Sequence, residues 1–141
     1  MKRLSVVLCI ATLVLCALTA LAEPRPGWLG LGFTYHVDGN ERWLHVRRLA
    51  PGGPAQRAGI AVDDVITRID GRAPRFDDDV ALMEFLGRIK PGQKVVLSVI
   101  HEQRPTDVTL RAVVMSDESY ARWREGLELA RTKRAARAGK R

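Results

Sequence analysis

"PGWLGLGFTYHV", residues 26–37, decides how the rest of the chain is read. Two glycines one residue apart, Gly30 and Gly32, open a run of β-branched and aromatic residues. A dinucleotide fingerprint would put a third glycine where Tyr35 stands, and a helix where a strand pattern follows. A phosphate-binding P-loop would need a Gly-Lys-Ser/Thr triplet, which the chain lacks. Two readings remain, a simple turn or a turn whose successive N–H groups converge into an anion-binding concavity. The turn lies at the start of a strand whose edge can receive an extended peptide. Glycine permits both the turn and a close approach to the backbone. Leu31 and Phe33 are then expected to line an apolar pocket, and a helix must supply the facing wall.

The flanking segments supply those parts. "FTYHV" (33–37) and "WLHVRRL" (43–49) are strand-like, and "DGNER" between them reads as a hairpin turn. Pro51-Gly52-Gly53 breaks the second strand. Pro54 suits the first turn of a short helix, and Gly59 suits its end. "DDVITRID" (63–70) alternates at Val65, Thr67 and Ile69 and closes on an Asp70-Gly71 turn, the pattern of a strand. Residues 77–89 have helical spacing. Asp77 or Asp78 is placed to cap, Val80, Met83 and Leu86 recur at steps of three, and Gly87 weakens the last turn. After Pro91-Gly92, "KVVLSVIHE" and "TDVTLRAVV" form a second hairpin about Gln103–Pro105. Residues 78–89 are the candidate facing wall.

In this order the segments resemble a PDZ domain, whose carboxylate loop is known for the same Gly-Leu-Gly-Phe. "VRRLAPGGPAQRAGIAVDDVITRIDGR" is similar to the PDZ strand, Pro-Gly-x-Pro-Ala turn, short helix, Asp-Asp-Val-Ile strand and Asp-Gly turn. "FLGRIKPGQKVVLSVIHEQRPTDVTLRAV" is similar to its second helix and closing hairpin. The likeness runs from about Trp28 to Val114. It begins at the carboxylate loop and ends on a strand, like the permuted bacterial form found in periplasmic Htr-type, site-2 and carboxy-terminal processing proteases. The resemblance implies an α+β, mostly β fold: a small, partly open barrel of five or six strands capped by two helices, with a further C-terminal helix. It makes the segment at Gly30, Leu31, Gly32 and Phe33 the carboxylate site. It places Thr34 and Tyr35 on the peptide-pairing strand, with Asp79, Met83 and Leu86 on the helix facing the groove. The commonest class of the family carries a histidine where Asp79 stands. An acid there favours a basic or hydroxyl-bearing ligand side chain, while helix capping and core packing are the plainer uses of Asp77–Asp79, Met83 and Leu86.

Catalytic and metal chemistry find no support in these residues. There is no Gly-x-Ser-x-Gly setting. His36, His45 and His101 all fall in strand patterns without metal-ligand spacing. The expectation is a non-enzyme without cofactor or metal.

The ends of the chain differ in character. Lys2 and Arg3 precede an uncharged run, Leu4 to Ala22, which closes on Ala20-Leu21-Ala22 and Glu23-Pro24. This is the form of a signal peptide over residues 1–22, with 23–27 as a linker. If residues 4–22 are not cleaved, they are long enough to anchor the chain in the inner membrane. Both cysteines, Cys9 and Cys16, lie in that segment, so the exported domain would hold together by its core alone. Hydrophobic content of 46% is enough for that core. Basic residues exceed acidic ones by 7, and the excess gathers beyond Ala130 in Arg131, Lys133, Arg134, Arg137, Lys140 and Arg141. Tyr120, Trp123, Leu127 and Ala130 keep helical spacing, so 116–141 reads as a basic helical tail after a domain at 28–115.

The expected function is an exported, periplasmic peptide-binding module. It would capture C-terminal or extended segments with an apolar last residue, as an adaptor or regulator in envelope quality control, with an envelope protease as a further partner. The alternative is a membrane-surface or protease-accessory protein that acts through residues 131–141 on anionic lipid. Export makes nucleic acid a poor partner.

Overall fold

The computed structural model describes residues 24–141. Residues 1–22, read from the sequence as a signal peptide and carrying Cys9 and Cys16, lie outside the described residues. The elements in chain order are β1 (Gly27–Trp28), β2 (Leu31–Asp38), β3 (Glu41–Leu49), α1 (Pro54–Arg57), β4 (Val65–Ile69), α2 (Asp79–Gly87), β5 (Lys94–His101), β6 (Arg104–Arg111), β7 (Val113–Val114) and α3 (Asp117–Ala138). Strands β2-β3-β4-β5-β6 form one antiparallel sheet in that order, and β1 pairs with β7 in a second, two-stranded one. The mostly β architecture with two capping helices and a C-terminal helix is as the resemblance implies. The small β1–β7 pair was not expected, because two-residue strands leave no periodic trace.

Alternation builds the core. Along β5, Val95, Leu97 and Val99 are buried while the residues between them are more exposed. Leu44 and Val46 of β3, Ile66 of β4 and Leu110 of β6 join them in one cluster. Each such side chain contributes about 1.5–3 kcal/mol of burial. Pro105 is tolerated in β6 because that strand is an outer edge and need not donate on both sides. Both hairpins turn in two residues. Gly39 supplies the positive φ in one, and Glu102 and Gln103 both adopt it in the other.

The helices are capped by the residues their sequence offers. Asp78 accepts from Ala81 N–H at 2.9 Å to start α2, and Ser116 accepts from Ser119 N–H at 3.2 Å to start α3. Val80 and Leu127 are buried without joining the main cluster. They lie on α2 and α3, the two helices that pack against each other.

One polar pair sits inside this framework. Asp64, only 4% exposed, accepts from Ala61 N–H at 2.9 Å and meets His101 Nδ1 at 2.5 Å. It thereby ties the end of β5 to the loop before β4. The bond to Asp64 raises the His101 pKa above its ordinary 6.5. A raised folded value means that the pair's stabilisation is complete below the unfolded pKa and is lost as pH rises through the folded one. The melting temperature should therefore fall as pH climbs above about 6.5, and His101→Gln should flatten that part of the profile. Parallel profiles for the two proteins would remove this role.

Candidate functional site

Strand β2 is a terminal strand of the five-stranded sheet, bonded only to β3. In an antiparallel pair, alternate residues turn their backbone groups away from the partner. No other strand of the described residues takes them up on β2. This is the open sheet margin that the glycine run calls for.

The loop leading into it is held from behind. Leu29 C=O accepts from Ala55 N–H at 3.0 Å, and Gly30 C=O accepts from Ala50 N–H at 2.9 Å. These two bonds fasten the loop's carbonyls to the turn before α1 and to the start of that helix. Among the described residues, the amides of Leu31, Gly32 and Phe33 donate to no carbonyl beyond the β2–β3 ladder.

The two glycines prove to have different duties. Gly30 has φ +73° and lies against Gly53 and Pro54, where a Cβ would stand 3.1 Å from Pro54 Cδ, so the fold itself requires glycine there. Gly32 lies outside the left-handed region, and a Cβ on it would meet nothing nearer than Arg48 Cβ at 3.6 Å. Its own packing leaves room for a side chain.

On the core side of β2, Leu31, Phe33 and Tyr35 are partly buried and pack against the cluster, as do Phe76, Phe85 and Leu86 from the facing segment. Tyr35 does more than lie on the strand. Its ring meets Phe76 edge-on at 5.8 Å, and its hydroxyl accepts from Phe76 N–H at 3.1 Å. Phe76 in turn stands 5.3 Å from Phe85 of α2. This chain of contacts sets the distance between β2 and α2. Sequence reasoning missed it, because Phe76 precedes the helix and carries no periodic signal.

The helix positions separate. Leu86 packs on the core beside the β2 residues. Met83 turns its thioether end toward α3, 3.4 Å from where a Cβ of Gly126 would stand. Asp79 is exposed and lines a cleft of about 380 Å³ between the start of α2 and the basic half of α3, together with Lys133, Arg134 and Arg137. Thr34, exposed on the outer side of β2, receives Arg47 Nε at 3.3 Å. Arg134 holds Asp78 through both guanidinium arms, Nε to Oδ2 at 2.6 Å and Nη2 to Oδ1. That guanidinium, aided by Ala81 N–H, lowers the Asp78 pKa to about 2. Arg131 adds a contact to Glu84 at 3.5 Å. The tail therefore runs along α2 and spends part of its charge there.

A family profile for the PDZ domain matches residues 27–111. The chain belongs to the PDZ family. It is 32% identical over 93 residues to a probable periplasmic serine endoprotease, DegP-like, of Halomonas elongata, a match that covers 60% of this chain and 19% of that protein. Among solved structures, the HtrA-type protease AlgW with decapeptide superposes with a TM-score of 0.57 at 23% identity, over 76% of this chain and 35% of that one. The serine endoprotease from Yersinia pestis gives 0.54 at 20% identity, over 77% and 36%. An aminopeptidase N family protein from Idiomarina loihiensis gives 0.56 at 20% identity, over 70% and 16%. These structural likenesses show the fold alone. The chain spans about a fifth of the length of the curated relative, and what it shares with the HtrA-type proteins is their PDZ region, a non-catalytic module. Among the described residues no helix is long and apolar enough to cross a membrane.

Proposed function

We propose that this PDZ module captures C-terminal or extended peptide segments by adding them as a sixth strand beside β2, with the terminal carboxylate held by the amides of Leu31, Gly32 and Phe33. The observation that carries the reading is the combination of an open β2 edge with a loop whose carbonyls are fastened away from it. Gly32 supports it further, since the fold leaves space there that a peptide backbone can use. The last side chain enters the apolar side formed by Leu31, Phe33 and Leu86. The AlgW structure contains a decapeptide, which agrees with this use of the fold. The DegP-like relative is named as periplasmic. With the Ala20-Leu21-Ala22 site, that supports export and a role as a non-catalytic adaptor or protease regulator in envelope quality control.

The test is a screen of peptides with an apolar last residue, each with a free and an amidated C-terminus, against the full chain. Amidation should weaken binding at least tenfold, about 1.4 kcal/mol. Gly32→Glu places a carboxylate at the loop without a packing clash, so it should keep the melting temperature and lose the free-acid ligands. Equal binding of acid and amide would reject the carboxylate site.

The basic half of α3 favours a second use of the tail. Lys133, Arg137, Lys140 and Arg141 have no ion-pair partner among the described residues, whereas Arg131 and Arg134 do. Contact with anionic lipid would draw on the first four, each worth about 1 kcal/mol at the surface.

A further inference from the structure

The sheet register changes where β2 leaves the loop. Gly32 faces Arg48, yet Phe33 faces Val46, so β3 carries one extra residue, Arg47. A bulge of this kind re-aims side chains. Along β3, Leu44 and Val46 point into the core and His45 lies on the opposite face. Regular alternation would then send Arg48 inward after Arg47. The bulge instead leaves both arginines exposed.

Both reach toward β2. Arg47 Nε bonds Thr34 Oγ1 at 3.3 Å and stands 3.9 Å from Asp63. Arg48 passes over Gly32, with its Nε 3.8 Å from the place of a Gly32 Cβ. Unlike Arg47, it has no acidic partner among the described residues. Further along the same face, His36 lies against Trp43 at 5.5 Å and His45 at 5.9 Å, and His45 meets Asp63 at 3.2 Å. The face beside the glycine loop thus presents one unpaired guanidinium and one shared with Asp63. A side chain at Gly32 would cover the first.

We infer that this bulge builds a specificity site: Arg48, with Arg47 behind it, selects peptides whose penultimate residue is acidic. The inference rests on the strand-addition reading above. Successive side chains of a strand point to opposite faces. A peptide whose last side chain enters the apolar side therefore turns its penultimate side chain to the face of Gly32 and Thr34. There it meets the Arg48 guanidinium. A carboxylate pairs with it, an alanine is neutral to it and a lysine is repelled. The partner chemistry is a free C-terminus in which Asp or Glu precedes one apolar residue.

The experiment is fluorescence polarisation on the full chain with three free-acid peptides that share an apolar last residue and differ in the penultimate one, Glu, Ala or Lys. The exposed position of the pair sets the scale: Glu should bind about three- to fivefold tighter than Ala, Lys weaker than Ala, and the spread should narrow in high salt. Arg48→Glu should reverse the order, and Arg48→Lys should keep it. Because Arg48 is exposed, thermal melts of the variants should match the wild type. Peptides that bind without ranking by penultimate charge would overturn the Arg48 site and leave strand addition standing. An Arg48→Ala variant that weakens all three equally would also overturn it, by placing the guanidinium on the terminal carboxylate. If none of the free-acid peptides binds, both readings fall together.

Discussion

Replacing Gly27 by valine is expected to lower the melting temperature by about 10 °C, a cost of about 3 kcal/mol, and to abolish peptide binding with it. Gly27 sits where β1 slots between β7 and the turn after α2. Its amide donates to Ile89 C=O at 2.6 Å, and it pairs with Val114. A Cβ there would stand 2.7 Å from both the carbonyl carbon and oxygen of Lys90, and 2.8 Å from Ala112 Cβ. The Lys90 backbone has little freedom to retreat, since its N–H bonds Gln93 Oε1 at 3.0 Å and its C=O accepts from Gln93 N–H at 3.0 Å. The added side chain must therefore push β1 outward. The loop at Leu29–Leu31 follows β1 directly, so its amides move with it. Gly27→Ala should act in the same direction and less strongly. A Gly27→Val protein that melts like the wild type would show that the β1–β7 pair does not hold the loop.

Trp123→Ala is expected to release α3 and remove about three-fifths of the helical ellipticity of the described helices. That fraction follows from length, because α3 has 22 residues against 9 in α2 and 4 in α1. In proteins most helical stability comes from tertiary packing of one face, and α3 has only one buried residue, Leu127. Its docking depends on the Trp123 indole, which fills the space left by Gly87. A Cβ on Gly87 would come within 2.7 Å of that ring. Tyr120 stacks on the indole at 5.9 Å, and the Arg25 guanidinium covers Tyr120 at 5.6 Å. The ion pairs of Arg131 and Arg134 are exposed enough that they should not hold the helix alone. The five-stranded sheet should survive, because its core cluster contains no residue of α3. Trp123→Phe is the companion variant. The indole N–H is buried with no partner among the described residues, so phenylalanine keeps a ring against Gly87 and removes an unsatisfied donor. Unchanged ellipticity in Trp123→Ala would show that α3 folds independently of its seat.

The hairpins, the short helix at Pro54 and the capped helix after Asp78 were legible because each is local. Turn glycines, a proline in a first helical turn and period-two or helical spacing act within a few residues. The tail helix was legible for the same reason, since Tyr120, Trp123, Leu127 and Ala130 keep helical spacing. The groove positions were harder. Asp79, Met83 and Leu86 share one stripe in sequence, yet only Leu86 joins the core beside β2. Met83 turns to Gly126 and Asp79 to the cleft with α3. Helical spacing defines a face but does not say which neighbour covers it. Likewise Gly87 read as a weak point in a helix, and the structure shows it as the seat of an indole from 36 positions later in the chain.

The residues alone determined that a glycine turn opens a strand, that antiparallel hairpins follow and that a helix stands ready to face them. These outcomes depend on backbone freedom and on patterns repeated every two to four residues. Only the tertiary structure decided that β2 ends a sheet, that Gly30 is packed while Gly32 is not, and that a bulge carries Arg47 and Arg48 to one face. Each of those depends on contacts between segments far apart in the chain, and such contacts are fixed by which surfaces meet when the core closes.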